Sequence, residues 1–319
     1  MAVPPAEGTF TFDNGVTLAR QHLHRSQLKR YRSQQAVRLH EPHEEFWFDL
    51  LLFNASQSDV FLNIGAAAGY YALAALRLRP GLRVVAVNPH PSFQAMLRAN
   101  AAYAGLNVTD GSLASMMPIA GSVLQLPYAL SARESSWLLG DGWGDGLQRT
   151  LAAKTLASGH SRGGRPHSPA RVRSVHLHHL TNLTGEVYMA NFDIQGHERG
   201  VFEADGTHRV LSTHILSRVI VGTHGCDFGT RVVRCADLGP RAFARHGCHV
   251  NRSGETMLLG KLLRNSSECG IAHATVLNAL RRAQYRILYE AAHVEGQPDG
   301  LIVAISPLVQ IPPFLMHTS

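Results

Sequence analysis

The feature that most constrains the fold is a strand, glycine turn, helix and strand pattern between Asp59 and Pro91. Val60 to Ile64 is a short apolar run typical of a strand buried on both faces, and Tyr71 to Leu78 is an Ala- and Leu-rich stretch long enough for a helix. A second apolar run, Arg83 to Val87, follows the helix. The pattern predicts a right-handed βαβ unit with a ligand crevice beyond the carboxyl ends of its strands.

Gly65 and Gly69 join the first strand to the helix, and glycine allows a ligand to lie directly against the backbone. A dinucleotide fingerprint, G-x-G-x-x-G, would place a pyrophosphate at the helix N-terminus, but Ala67 interrupts it and only G-x-x-x-G remains. The spacing favours a ligand without a pyrophosphate, of which S-adenosyl-L-methionine is the common example. The same turn is also compatible with a helix packed closely on a strand without a ligand.

Composition is consistent with one large doubly wound domain, because 319 residues with 45% hydrophobic content provide an ample core. The formal charge of +7 permits an acidic partner, but the basic residues do not alternate with aromatic ones, so we do not expect nucleic-acid binding.

Met1 to Gly8 lacks a signal-peptide pattern and no apolar run approaches about 18 residues, so we expect no membrane span and a cytoplasmic location. Four cysteines without a C-x-x-C pair indicate reduced thiols.

The rest of the chain continues the alternation of strands and helices. Asn14-Gly15 predicts a hairpin from Phe10 to Leu18, and Pro42 predicts the start of a helix that reaches Phe53. Further strands are predicted at Val172 to Leu180, Val187 to Ile194 and His214 to Val221, helices at Met257 to Leu263 and Thr275 to Ala283, and a closing antiparallel pair at Tyr285 to Ala291 and Leu301 to Ser306.

Two stretches leave alternatives open. The six basic residues from Arg20 to Arg38, with no acidic one, indicate either a solvated helix face or a rim for an anionic substrate. The glycine-rich stretch from Ser131 to Arg171 indicates either a lid over a site or a plain insertion.

Five stretches stand out in order along the chain. They are LHEPHEEFW from Leu39, FLNIGAAAGYYALAAL from Phe61, NPHP from Asn88, FDIQGHE from Phe192 and VGTHG from Val221. Together they resemble the FkbM family of S-adenosylmethionine-dependent methyltransferases over roughly residues 10 to 307.

The resemblance implies an α/β, class I methyltransferase (Rossmann-like) fold, a mostly parallel doubly wound sheet with an antiparallel last strand. It also implies methyl transfer, usually to a hydroxyl of a small-molecule or glycan acceptor. Residues 1–55 would form a hairpin and helical cap, 56–310 the methyltransferase domain and 311–319 a tail.

The same resemblance implies the site residues. Asp193, Glu198 and His224 would face the acceptor, and Asp193 is the first candidate for the base that removes the hydroxyl proton. The alternative for Asp193 is an N-cap of the following helix. We expect no metal, including at the histidines from His176 to His179. The implied cofactor-lining residues are Asn63, Gly65, Ala66, Gly69, Tyr70, Asn88 and Pro89.

Three asparagines depart from the family pattern or from common methyltransferases. Asn63 stands where many methyltransferases have an acidic residue, Asn88 where the family usually has a glutamate for the ribose, and Asn191 where it often has a lysine. They support the alternative of a catalytically decayed binding or regulatory protein. A nicotinamide-dependent oxidoreductase is a third hypothesis, which the missing third glycine and the lack of a Tyr-x-x-x-Lys pair oppose.

Overall fold

The computed structural model describes residues 8–23, 27–28, 31, 38–115, 117–132, 136–139, 170–194, 197–223, 248–250, 256–258, 266–291 and 300–310. The structural features below lie within these residues. Most of the Ser131 to Arg171 stretch and most of the basic stretch fall outside them, so the alternatives for both remain as the sequence leaves them.

Strands and helices alternate through most of the described chain. The strands are β1 (Thr9–Thr11), β2 (Thr17–Ala19), β3 (Val60–Ile64), β4 (Arg83–Val87), β5 (Asn107–Asp110), β6 (Ser122–Leu126), β7 (Tyr128–Leu130), β8 (Ser136–Leu139), β9 (Ala170–Val175), β10 (Met189–Phe192), β11 (Arg218–Thr223), β12 (Cys248–Val250), β13 (Thr256–Leu258), β14 (Arg286–Ala291) and β15 (Gly300–Ile305). The helices are α1 (Pro42–Leu52), α2 (Tyr70–Leu78), α3 (Pro91–Tyr103), α4 (Leu177–Thr184), α5 (Glu198–Glu203), α6 (Asp205–Ser212) and α7 (Ser266–Arg282).

An eight-stranded sheet forms the centre, in the order β14-β15-β11-β10-β3-β4-β6-β5. Neighbouring strands from β11 to β5 pair in parallel, whereas β15 runs antiparallel to both β11 and β14. The chain builds outward from β3 to β4 and β6, then returns to β10 on the other side of β3. This is the class I, Rossmann-like fold with an antiparallel last strand that the sequence predicts, and its topological switch point lies between β3 and β10.

Helices cover both faces of the sheet, because its central strands are apolar on both sides. One face packs Phe61 and Met189 against α1, α2, α3 and the β1–β2 hairpin. The other packs Leu62 and Phe192 against α4, α5, α6 and α7. The N-terminal hairpin therefore belongs to the same apolar core as the βαβ unit.

The N-terminal hairpin is confirmed. Gly15 has the left-handed backbone, with φ of +81°, that the Asn-Gly turn requires. Asn14 extends beyond the turn, since its Nδ2 donates to the Tyr70 hydroxyl at 2.7 Å. The hairpin is thus tied to the first residue of α2.

Two predicted elements are wrong in part. The Val172 to Leu180 stretch is not one strand, because β9 ends at Val175 and α4 begins at Leu177. The predicted helix from Met257 begins instead as β13, which pairs antiparallel with β12; residues 259–263 lie outside the described residues. A short apolar run fits either a strand or a helix, and here the strand partner decides.

Candidate functional site

The glycine turn lies at the switch point and contacts the end of β10. Gly65 and Gly69 have φ of +85° and +94°, and Ala67 between them also has a positive φ, +44°. A β-carbon on Gly65 would overlap the backbone carbonyl oxygen of Asp193. The backbone N–H of Asp193 in turn donates to the Ile64 carbonyl at 2.9 Å. The turn therefore packs directly against the strand end that carries the candidate base.

Gly65 and Ala67 are the partly exposed residues of this turn, whereas Ala66, Ala68 and Gly69 are buried. A β-carbon on Gly69 would overlap the side chain of Leu97 on α3. Close packing and the positive φ therefore account for glycine at position 69 without a ligand.

Tyr70 lies on the hairpin side of the turn. Its hydroxyl accepts the hydrogen bond from Asn14, and its ring packs edge-on against Phe12 with centroids 4.8 Å apart. Burial, with the negative charge of Glu45, raises the pKa of Tyr70 far above its usual value. Tyr70 is consequently an un-ionised core residue that joins α2 to the cap.

Two asparagine amides hold the carbonyl groups of the turn. Nδ2 of Asn88 donates to the Ala67 carbonyl at 3.0 Å, and Nδ2 of Asn100 donates to the Ala68 carbonyl at 2.8 Å. The other polar atom of Asn88, Oδ1, accepts from the His90 backbone N–H at 3.2 Å. Asn88 thus lies beside the turn, at the end of β4, but the chain itself uses both ends of its side-chain amide. The next residue, Pro89, is partly exposed.

Asn63 and Asn191 lie side by side across the switch point, because they are register partners in β3 and β10. Their side chains therefore share the face that α1 covers. Nδ2 of Asn191 donates to Oε1 of Glu44 on α1 at 2.9 Å. Within the described residues, the buried Nδ2 of Asn63 and Oδ1 of Asn191 have no hydrogen-bond partner. Unpaired buried polar atoms are costly, so they indicate a place where a partner is needed.

Of the three residues predicted to face the acceptor, the structure describes Asp193 and Glu198. Asp193 is partly exposed at the end of β10, and Glu198 is fully buried in the first turn of α5. Oε1 of Glu198 accepts from the Ile194 backbone N–H at 3.0 Å, so Glu198 holds the segment that follows Asp193. The N-cap of α5 is His197, so the capping alternative for Asp193 is wrong. His224 lies outside the described residues.

Sequence reasoning missed the acidic side chains that α1 brings to this site. Glu44 is buried, and Glu41, the N-cap of α1, accepts a hydrogen bond from the Tyr71 hydroxyl at 3.0 Å. Burial, together with the charges of Glu41 and Asp193, holds the pKa of Glu44 well above its usual range. The sequence does carry a signal, because Glu44 shares the stripe of buried residues at Phe48 and Leu51, spaced i+4 and i+7.

Among the residues that the structure describes, no group of three or more His, Cys, Asp or Glu side chains is arranged to hold a metal ion. Within the same residues, no helix combines the length and the apolar character needed to cross a bilayer.

Comparison with known proteins gives a likeness to solved structures only. No protein-family model and no curated protein matches the chain. Precorrin-6y C5,15-methyltransferase from Geobacter metallireducens is 10% identical over 86% of this chain and 92% of its own, with a TM-score of 0.36. Cofactor-bound Rv0187 from MTB is 14% identical over 88% and 87%, with a TM-score of 0.38. The O-methyltransferase TomG from Streptomyces achromogenes, in complex with SAM, is 13% identical over 83% of this chain and 79% of its own, with a TM-score of 0.32.

Identities and TM-scores at this level assign neither an activity nor a substrate to the chain. The class I fold rests on the strand order and directions given above. Membership of the FkbM family remains a prediction from the sequence motifs.

Proposed function

We propose that the chain is an S-adenosylmethionine-dependent methyltransferase that acts on a hydroxyl of a small molecule or sugar. One observation carries the proposal: the glycine turn and Asp193 lie together at the switch point, where the backbone of Gly65 packs against the Asp193 carbonyl oxygen. In open α/β sheets, ligands bind at this position, outside the carboxyl ends of the strands.

The residues present fit the methionine part of the cofactor. Gly65 and Ala67 are accessible at the turn, and the buried Nδ2 of Asn63 is a donor without a partner in the described residues. The ribose would lie near Asn88, whose Oδ1 can accept from a hydroxyl. Ala66, Gly69, Tyr70 and Pro89 support the turn in this proposal. When bound, S-adenosylmethionine supplies a methyl group already activated by a sulfonium.

The protein's task is then to place the acceptor, exclude water and remove one proton. Asp193 is partly exposed beside the turn and takes the proton from the acceptor hydroxyl in this proposal. Glu198 fixes the segment after Asp193 through the Ile194 backbone N–H. We also propose His224 as an acceptor-side residue from the sequence resemblance alone.

The test is a methyl-transfer assay with radiolabelled S-adenosylmethionine against sugars, phenols and fractions of a metabolite extract. We expect label in an acceptor at a hydroxyl oxygen, with one S-adenosylhomocysteine formed for each methyl transferred. Label on nitrogen or carbon would refute O-methylation but keep methyl transfer. Failure of the folded protein to bind either cofactor form would refute the whole proposal.

A second candidate is a catalytically decayed binding or regulatory protein on the same fold. The observation that favours it is that Ala67 and His90 engage both polar atoms of Asn88. The ribose would therefore meet an amide whose polar atoms already have partners, where a carboxylate is usual in the family. Cofactor binding without transfer to any acceptor fraction would favour this candidate. We also propose a cytoplasmic location and a division of the chain into a cap at residues 1–55, a methyltransferase domain at 56–310 and a tail at 311–319.

A further inference from the structure

Glu44 is a buried acid that joins the cap helix to the central strand of the site. Its Oε1 accepts from Nδ2 of Asn191 at 2.9 Å, a contact between residues 147 positions apart. Asn191 lies two residues before Asp193 and is fully buried. The contact therefore fixes the strand end from which the candidate base projects.

The groups that face Glu44 are acidic or neutral. They are Glu41 at the start of α1, Tyr71 on α2, Asn191 on β10 and Asp193 after β10. Among the described residues, no Lys, Arg or His forms an ion pair with Glu44. An ionised Glu44 would be a desolvated anion beside two other carboxyl groups, which is strongly unfavourable.

The hydrogen-bond pattern of Asn191 supplies independent support. Its Nδ2 donates to Glu44, yet its buried Oδ1 has no partner in the described residues. An un-ionised carboxylic acid has one O–H donor in addition to its acceptors. The O–H of Glu44 can donate to Oδ1 of Asn191 while the amide donates back, which satisfies both side chains.

We propose that Glu44 and Asn191 form a neutral acid–amide pair and that Glu44 is a positioning residue for Asp193. The pair holds the end of β10 without adding a second negative charge beside the base. This role rests on the proposed methyl transfer. A carboxylate near the cofactor would stabilise the sulfonium of the ground state more than the transition state, in which that charge is dispersed, so a neutral Glu44 also favours turnover.

The test compares wild type with Glu44→Gln by difference infrared spectroscopy and by the pH profile of turnover. Glutamine can accept from and donate to Asn191 as the neutral acid does. We expect a carbonyl band of an un-ionised carboxylic acid near neutral pH that Glu44→Gln removes. The matched control, Glu203→Gln, changes an exposed glutamate that pairs with Arg199 at 2.8 Å and should leave that band intact.

In the activity assay, we expect Glu44→Gln to bind S-adenosylhomocysteine within about threefold of wild type, because both hydrogen bonds are kept. Wild-type turnover should fall at alkaline pH as Glu44 ionises, and the variant should lose this fall. A missing acid band, or identical pH profiles, would overturn the inference. If the wild type fails to bind S-adenosylhomocysteine, the proposed function fails, and the infrared result alone still decides the state of Glu44.

Discussion

Replacing Asn88 by aspartate separates its two contacts, because only one of them needs an N–H donor. The carboxylate can still accept from the His90 backbone N–H. It cannot donate to the Ala67 carbonyl, which in the wild type accepts from Nδ2 at 3.0 Å. Because Ala67 is partly exposed, water can replace part of the lost hydrogen bond, and the loss costs about 0.5–1.5 kcal/mol. We therefore expect the free energy of unfolding of Asn88→Asp, without ligand, to fall by about that amount.

The same change should strengthen cofactor binding. A charged acceptor exceeds a neutral one by about 1 kcal/mol for the ribose hydroxyls, which corresponds to about fivefold in affinity. Urea denaturation measures the first effect, and calorimetric titration with S-adenosylhomocysteine measures the second.

Asn100→Asp is the matched control, because Asn100 holds the next carbonyl of the same turn but lies against the hairpin. We expect it to destabilise the protein by a similar amount, without any gain in affinity. Equal affinities of Asn88→Asp and wild type, with stability reduced as expected, would refute the placement of the ribose at Asn88.

Three further changes test other parts of the site. Asp193→Asn should reduce turnover by about 100-fold or more with cofactor affinity nearly unchanged, because a general base supplies about 10²–10⁴; activity that survives in the folded variant would exclude Asp193 as the base. Gly65→Ala should destabilise the fold more than Gly105→Ala, because a β-carbon at Gly65 overlaps the Asp193 carbonyl. Gly105 has φ of +67° but open space around it, so its replacement should cost only about 1 kcal/mol. Similar melting temperatures of the two variants would contradict the contact at Gly65. Burial lowers the pKa of His273 below 6.5, so the unfolded chain binds the proton first, and the free energy of unfolding should fall as the pH drops below about 6.5. His273→Gln should flatten this pH dependence in urea titrations at several pH values. The same pH dependence in variant and wild type would refute the assignment of the effect to His273.

The parts of the fold that the sequence predicts well are those with a local signal. The apolar run of β3, the glycine turn and the helix after it are adjacent in the chain, and their order implies the parallel sheet. The Asn14-Gly15 hairpin follows from turn chemistry in the same way. Met257 carries only a short apolar run, so its strand depends on the partner β12 and could not be assigned locally.

The contacts within the site are harder to predict, because they join side chains far apart in the chain. Asn88 reads as a ribose ligand from its position at the end of a strand, but its amide holds Ala67, 21 residues away. Glu44 and Asn191 meet only because α1 folds onto the face of β10. Residue type and periodicity indicate that Glu44 is on a buried stripe, whereas its partner follows only from the tertiary structure.

The central claim is that the crevice beside the Gly65 turn binds S-adenosylmethionine. Calorimetric titration of the wild-type chain with S-adenosylhomocysteine, with NAD as the comparison ligand, tests it most directly. The account predicts one S-adenosylhomocysteine bound per chain and no heat of binding from NAD, since the turn lacks the third glycine of a dinucleotide fingerprint. Binding of NAD, or no binding of S-adenosylhomocysteine by the folded protein, would contradict it.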